Sequence, residues 1–78
     1  MQAQRVYIHG NIYDENGQPV ELATVNEEKS LAHSISNLQG DYSITVSYSD
    51  TISLVFRMVG HEIRKRYLYN ADDTVKLD

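Results

Sequence analysis

The fold class is decided by a short stretch near the start of the chain, Val6-Tyr7-Ile8-His9-Gly10-Asn11-Ile12. Its apolar side chains fall on even positions with Gly10 among them, and polar or amphipathic side chains fall between. Because successive side chains of an extended backbone point to opposite sides, this period of two predicts a strand with one buried face. We therefore expect the chain to begin as a β protein.

Six further strands are expected along the chain, each bounded by turn residues. They cover residues 20–26, 31–36, 41–47, 52–59, 62–69 and 74–78, with turns at 14–17, 37–40 and 70–73 and a solvated loop at 27–30. The fifth strand is apolar on both faces at its middle, which predicts a central position in its sheet. The expected core consists of Val6, Ile8, Ile12, Val25, Tyr42, Ile44, Ile52, Leu54 and Phe56.

Two of these strands have ambiguous faces. The third has Leu31, His33 and Ile35 on one face and Ala32, Ser34 and Ser36 on the other. For the sixth, two alternatives are open: the inward residues are Ile63, Tyr67 and Tyr69, or the inward residue is Leu68.

Composition supports strands and a single domain. Val, Ile, Tyr, Phe and Thr supply 24 of the 78 residues, whereas Ala and Met supply 6. β-Branched and aromatic side chains suit a half-buried pleated surface, and a chain of this length encloses one core. No stretch shows sustained helical periodicity, so the sequence predicts an all-β sandwich.

Composition also excludes several kinds of function. There is no cysteine, so the chain contains no disulfide, thiolate metal site or cysteine nucleophile. Eleven acidic against seven basic residues give a net charge of −4, which argues against nucleic acid as a partner. The longest apolar run, Leu54-Val55-Phe56, is far shorter than the roughly 20 residues of a membrane-spanning helix. We therefore expect that this stretch of protein does not itself span a membrane.

Five stretches match, in order, the motifs of one known family. Ile8–Val20 is similar to the opening apolar-x-Gly-x-apolar-x-Asp-x-x-Gly-x-Pro-Leu, and Ala23–Val25 to the strand Gly-Ala-Thr-Val. Ser36–Ile44 is similar to Thr-Asp-x-x-Gly-x-Tyr-x-Ile, Asp50–Ile52 to Asp-Thr-Leu, and Phe56–His61 to Phe-Ser-Tyr-Ile-Gly-Tyr. With these motifs the chain resembles the carboxypeptidase regulatory-like domain, which implies a transthyretin/prealbumin-like Greek-key sandwich of seven strands.

Three positions depart from the family pattern. Leu22 stands at a usual glycine, Asn37 at a usual aspartate and His61 at a usual aromatic residue. These departures bear on local turn geometry and leave the expected fold unchanged.

The resemblance also implies a location and a role. In SusC-like TonB-dependent receptors of Bacteroidetes, such a module lies in the periplasm ahead of the plug and the barrel. This implies a non-catalytic N-terminal accessory module of an outer-membrane nutrient transporter, with glycans as the expected nutrient class. Its expected partners are the plug and barrel of the same receptor and energising or neighbouring periplasmic proteins. The alternative is an accessory domain of a secreted or surface protein such as a metallocarboxypeptidase.

The expected domain covers residues 5–78. Residues 1–4, Met-Gln-Ala-Gln, are interpreted as a mature N-terminus or an expression remnant, because Ala-Gln commonly remains around a signal-peptide cleavage point. The chain is then expected to be a fragment of an exported, larger outer-membrane protein.

One segment is the candidate contact site for a partner protein. It consists of Arg57, Arg64, Lys65, Arg66, Tyr67 and Tyr69. On an edge strand, unpaired backbone groups accept another chain by strand addition. The competing interpretation is that the basic residues protect the edge from pairing and that the tyrosines are cross-strand packing partners.

We expect no catalytic, cofactor or metal site. His9, His33 and His61 fall on different predicted strands or turns, and no pair of His and Glu residues has the helical spacing of zinc ligands. The acids at 14–15 and 27–28 lack the spacing of a calcium loop and are explained by turn formation and solvation. No serine lies in a Gly-x-Ser-x-Gly elbow.

Overall fold

The chain forms two β-sheets in a computed structural model that describes residues 4–58, 60 and 63–78. The seven strands are β1 (Arg5–Asn11), β2 (Thr24–Glu27), β3 (His33–Ile35), β4 (Asp41–Ser47), β5 (Thr51–Arg57), β6 (Arg64–Tyr69) and β7 (Thr74–Lys76). The expectations for residues 1–3 and for Val59, His61 and Glu62 concern positions outside the described residues. The predicted seven-stranded all-β sandwich is confirmed.

The two sheets are built from interleaved segments of the chain. The smaller sheet has the order β4-β1-β7, in which β1 is antiparallel to β4 and parallel to β7. The larger sheet has the order β3-β2-β5-β6 and is antiparallel throughout. The chain changes sheet after β1, β3, β4 and β6, which is how a Greek-key sandwich is connected. None of the described residues lies in a helix long and apolar enough to cross a bilayer.

The core lies between the sheets and contains all nine of the residues predicted from the sequence. Ala23, Val46 and Leu77 complete the same buried cluster. β5 lies between β2 and β6, as its apolar middle predicted. Its Val55 lies on the outer face of the sheet and is nevertheless buried. The alternation along β1, β4 and β5 therefore positions both layers of the sandwich.

Two tight turns are stabilised by the same pattern of hydrogen bonds from backbone amides to a side-chain oxygen. The carboxylate of Asp14 accepts hydrogen bonds from the backbone amides two and four residues further on, at 2.9 and 3.0 Å. The Oδ1 atom of Asn37 accepts the equivalent pair, both at 3.0 Å. Gly17 and Gly40 complete these turns with φ values of 79° and 80°, which glycine adopts without steric cost. Asn37 thus leaves the second turn intact although the family usually has aspartate there.

The second strand begins later than predicted. Residues 20 and 21 were expected to start it, but β2 begins at Thr24. The buried hydroxyl of Ser36 donates to the Val20 carbonyl at 2.7 Å and accepts from the Ala23 amide at 2.9 Å. Leu22, between them, has a φ of 65°, which no strand residue adopts. The two hydrogen bonds of the Ser36 hydroxyl hold residues 20–23 in a bend, so β2 begins only at Thr24.

Glu27 belongs to β2 and not to the predicted solvated loop. It lies opposite Leu54 in the ladder and is buried. Its carboxylate accepts a hydrogen bond from the Lys29 amide at 2.6 Å, which satisfies one of its oxygens at the end of the strand. The loop therefore starts one residue later than the charge pattern indicated.

The third strand is shorter than the predicted range 31–36 and buries its less apolar face. Leu31 is 95% exposed and Ile35 is 55% exposed, whereas Ala32 packs against the core and Ser36 is buried. The outward face of β3 has no covering layer because the described strands form only two sheets, and β3, an edge strand of three residues, is hydrogen-bonded to β2 alone.

Replacing Leu22 by glycine is expected to stabilise the fold. The left-handed conformation costs a non-glycine residue about 1–2 kcal/mol, whereas glycine costs about 0.5–1 kcal/mol of extra entropy in the unfolded chain. Leu22 is 67% exposed, so little burial is lost, and a net gain of about 0.5–1 kcal/mol is expected in urea unfolding. Leu38→Gly is the matched control, because Leu38 is 65% exposed without a positive φ. Equal destabilisation by both variants would contradict this explanation.

Candidate functional site: the β6 edge

β6 is the open edge of the larger sheet. It pairs with β5 from Phe56↔Arg64 to Thr51↔Tyr69 without a bulge, and it lies beside no other described strand. Six residues give an edge of about 20 Å at roughly 3.3 Å per residue. β3 and β7 are edges of three residues, and the longer β4 lies close to β3. The edge position predicted for this segment is confirmed.

The hydrogen-bond phase decides which β6 residues have free backbone groups. The Asn70 amide donates to the Asp50 carbonyl at 2.9 Å, so this pair belongs to the hydrogen-bonded set of the ladder. Since antiparallel pairs alternate, Arg64, Arg66 and Leu68 bond to β5, while the amides and carbonyls of Lys65, Tyr67 and Tyr69 point away from it.

The neighbouring ladder shows the complementary phase. The Glu28 amide donates to the Ser53 carbonyl at 3.1 Å, which assigns the odd-numbered residues of β5 to β2. The even-numbered residues of β5 are thereby left for β6. The two ladders agree, and they place a row of three free amides and three free carbonyls on the β6 edge.

The side chains of β6 divide between two faces. Lys65, Tyr67 and Tyr69 lie on the outer face of the sheet, since they are opposite Val55, Ser53 and Thr51. Arg64, Arg66 and Leu68 lie on the inner face, opposite the core residues Phe56, Leu54 and Ile52. Leu68 is thus the inward residue of this strand, and the alternative expectation for Ile63, Tyr67 and Tyr69 is wrong: all three are exposed.

The two tyrosines form an exposed aromatic pair. The Tyr67 and Tyr69 rings are stacked with centroids 6.4 Å apart and planes 18° from parallel. Their exposed fractions are 49% and 68%, so their faces are accessible. They share the outer face with Lys65 and with Arg57 of β5, which lies two positions beyond Val55. The structure therefore brings four of the six predicted contact residues to one face and puts Arg64 and Arg66 on the other.

The charges of the edge are only partly neutralised. The Lys65 ammonium lies 3.2 Å from a Glu28 carboxylate oxygen, and both side chains are substantially exposed. Such surface pairs contribute about 0–1 kcal/mol and exchange readily. Arg66 donates to the backbone carbonyl of Asp78 at 3.2 Å. Arg57 and Arg64 have no ion pair with any other described residue, so positive charge remains at this end of the edge.

An open cleft of about 950 Å³ lies at the same end of the sandwich. Arg64, Lys65 and Arg66 contribute to its lining, together with the acidic residues Asp14, Glu15 and Asp78 and the rings of Tyr42 and Phe56. The cleft has charges of both signs and carries no nucleophile paired with a base among its described lining residues.

Tyr42 joins the two sheets near this cleft. Its hydroxyl donates to the Leu77 carbonyl, and its ring meets Phe56 edge-on at 5.4 Å. Burial raises the pKa of the Tyr42 hydroxyl to about 12, with a lowering contribution from Arg66 and a raising one from Asp78. The alternation of residues 41–47 predicted that Tyr42 lies in the core, but this hydrogen bond could not be predicted because it joins residues far apart in the chain.

The Tyr42 pKa predicts a loss of stability in strong alkali. Below pH 10 both the folded and unfolded forms are protonated, and the stability contribution of the hydroxyl is fully present. Between pH 10 and about 12 the unfolded chain releases the proton first, so stability falls with rising pH, by roughly 2–3 kcal/mol in total. Urea unfolding across this range, compared with Tyr42→Phe, measures the effect. The same alkaline loss in both proteins would refute it.

The candidate metal ligands lie apart. His9 stacks on Tyr7 at 5.5 Å on β1, and the Nδ1 atom of His33 lies 3.0 Å from the Leu31 carbonyl at the β3 edge. His61 is outside the described residues. In the part of the chain that the structure describes, no three His, Asp or Glu side chains form a group that could hold an ion. The Asp14 carboxylate accepts hydrogen bonds within its own turn.

The fold and the edge together define a class: a small all-β sandwich whose most distinctive surface is an open, basic, tyrosine-bearing strand. The model of the CarboxypepD_reg-like domain family matches residues 8–77, which is most of the chain. The chain therefore belongs to the CarboxypepD_reg-like domain family, whose members are in general non-catalytic. No curated protein and no solved structure gave a significant match.

Proposed function

We propose that the chain is a non-catalytic accessory and interaction module of a TonB-dependent, SusC-like outer-membrane nutrient transporter. It lies on the periplasmic side of the outer membrane, ahead of the plug and barrel, and the imported nutrient is a glycan. Membership of the regulatory-like family and the order of its motifs along the chain support this proposal. The observation that carries it is the open β6 edge, which offers free backbone groups and two exposed tyrosines.

An open strand edge of this kind is suited to binding another protein and not to catalysis. Free amides and carbonyls bind another extended chain, and the tyrosine faces add apolar area at low entropic cost. The partners are proteins: the plug and barrel of the same receptor, or energising and neighbouring periplasmic proteins.

The coding sequence gives the first test of this proposal. It is expected to continue beyond Asp78 into a plug and a barrel of alternating strands. Zinc-ligand motifs in the flanking sequence would instead support the accessory domain of a metallocarboxypeptidase and contradict the transporter.

Uptake by the complete receptor gives the second test. Deletion of residues 5–78 is expected to lower glycan uptake at an unchanged level of receptor in the outer membrane. Arg64→Glu combined with Arg66→Glu is also expected to lower uptake, because both cations lie in the first half of β6, beside the open cleft. Arg5→Glu, a single charge reversal at an exposed position on β1 of the other sheet, is the control. Uptake equal to that of the unmodified receptor after deletion would refute the proposed function.

A further inference from the structure

The β6 edge is chemically divided along its length. Its first three residues, Arg64, Lys65 and Arg66, are cationic, and its last three, Tyr67, Leu68 and Tyr69, are aromatic or apolar. Arg57 adds a fourth cation beside the basic half. The whole chain carries a net charge of −4, so this edge is positive against an otherwise acidic protein.

The division favours one kind of strand over others. A second copy of β6 in parallel register would bring like charges together, and in antiparallel register it would place each basic half opposite an aromatic half, with no carboxylate to pair with the cations. A cationic strand in either register would be repelled. The same basic residues that prevent such pairing attract an acidic strand. Edge protection and partner selection are therefore two consequences of one charge pattern.

We propose that β6 accepts, by antiparallel strand addition, an extended segment of a partner protein that is apolar in its N-terminal half and acidic in its C-terminal half. Antiparallel pairing continues the pattern of the larger sheet, and it sets the order of the halves. The inference rests on the proposed interaction function and gives that function a partner chemistry.

The register defines the segment residue by residue. Positions opposite Tyr69, Leu68 and Tyr67 pack on apolar groups, and positions opposite Arg66 and Arg64 carry carboxylates. Lys65 already lies beside Glu28, so a neutral residue suits the position opposite it. The peptide Tyr-Val-Tyr-Glu-Thr-Glu, blocked at both ends, fits this pattern and is the probe for the experiment.

The experiment is titration of the 78-residue chain with this peptide, followed by amide chemical shifts and hydrogen exchange in NMR. Bound peptide is expected to slow exchange at the amides of Lys65, Tyr67 and Tyr69 by at least about tenfold at saturation, because these amides point away from β5. The amides of Arg64 and Arg66, already bonded to β5, are expected to change little. Peptide-induced protection elsewhere, as on β4, or no binding at millimolar peptide would overturn the proposal.

Two modified peptides separate strand addition from simple charge attraction. N-methylation of the third residue removes the amide that faces Tyr67 and is expected to abolish binding, whereas N-methylation of the fourth residue, whose amide points away, is expected to preserve it. Replacing both Glu residues by Lys is expected to weaken binding at least about tenfold. Equal binding of the two N-methylated peptides, or of the Lys peptide and its parent, would overturn the proposal.

Protein variants and concentration dependence complete the test. Arg64→Glu with Arg66→Glu is expected to weaken peptide binding about tenfold, while Arg5→Glu leaves it unchanged. Concentration-dependent protection of the edge without peptide would identify a second copy as the occupant and overturn the partner assignment. Loss of uptake on domain deletion together with absent peptide binding would retain the proposed function and remove only this inference.

Discussion

Phe56→Ala is expected to lower the free energy of unfolding by about 3–5 kcal/mol. Phe56 comes from the larger sheet and its ring meets the Tyr42 ring of the smaller sheet edge-on, at 5.4 Å and 84°. Truncation removes this contact between the layers and leaves a cavity in the buried cluster. A domain of this size has a total stability of about 4–12 kcal/mol, so the loss is a large fraction of it.

Urea unfolding with two control variants tests the role of Phe56. Phe56→Leu keeps most of the apolar volume and is expected to cost less than about 1.5 kcal/mol. Leu31→Ala, at an exposed position, is expected to change stability by no more than about 0.5 kcal/mol. An unfolding midpoint for Phe56→Ala equal to that of the unmodified chain would remove Phe56 from the core.

Gly40→Ala is expected to destabilise the domain by about 2–5 kcal/mol. Two separate costs add: the left-handed backbone, with φ 80°, costs about 1–2 kcal/mol, and overpacking costs about 1–3 kcal/mol. The overpacking arises because a Cβ at Gly40 would lie 2.5 Å from the Ile12 carbonyl oxygen. The Ile12 amide also donates to the Gly40 carbonyl at 2.8 Å, which holds the two backbones together.

Gly17→Ala separates the two costs. Gly17 has a φ of 79°, and a Cβ there would meet no atom within 4 Å. Only the backbone cost of about 1–2 kcal/mol is therefore expected for Gly17→Ala. Equal losses of thermal stability in the two variants would show that the close approach at Gly40 is unimportant.

The regular strands could be predicted from the sequence because each has one face in the core. β4 was expected at residues 41–47 and begins and ends there. The start of β2 could not be predicted, because it depends on the buried Ser36 hydroxyl, which reaches Val20 and Ala23 across the fold. The faces of β3 could not be predicted either, since alternation shows that two faces differ and leaves open which is covered.

The candidate site was predictable in position but not in detail. Its edge location was predicted from the basic residues of the strand, because lysine and arginine are common on edge strands. The division of Arg64 and Arg66 from Lys65 depends on the register with β5, and a one-residue slip would exchange the two sets. The contacts of Lys65 with Glu28 and of Arg66 with Asp78 join distant parts of the chain.

Hydrogen exchange along β6 in the free 78-residue chain tests the central claim most directly. The open edge predicts slow exchange for the amides of Arg64, Arg66 and Leu68, which bond to β5, and fast exchange for those of Lys65, Tyr67 and Tyr69. Uniform protection of all six amides would show that the edge is covered. Protection of the opposite three would show that the register differs by one residue.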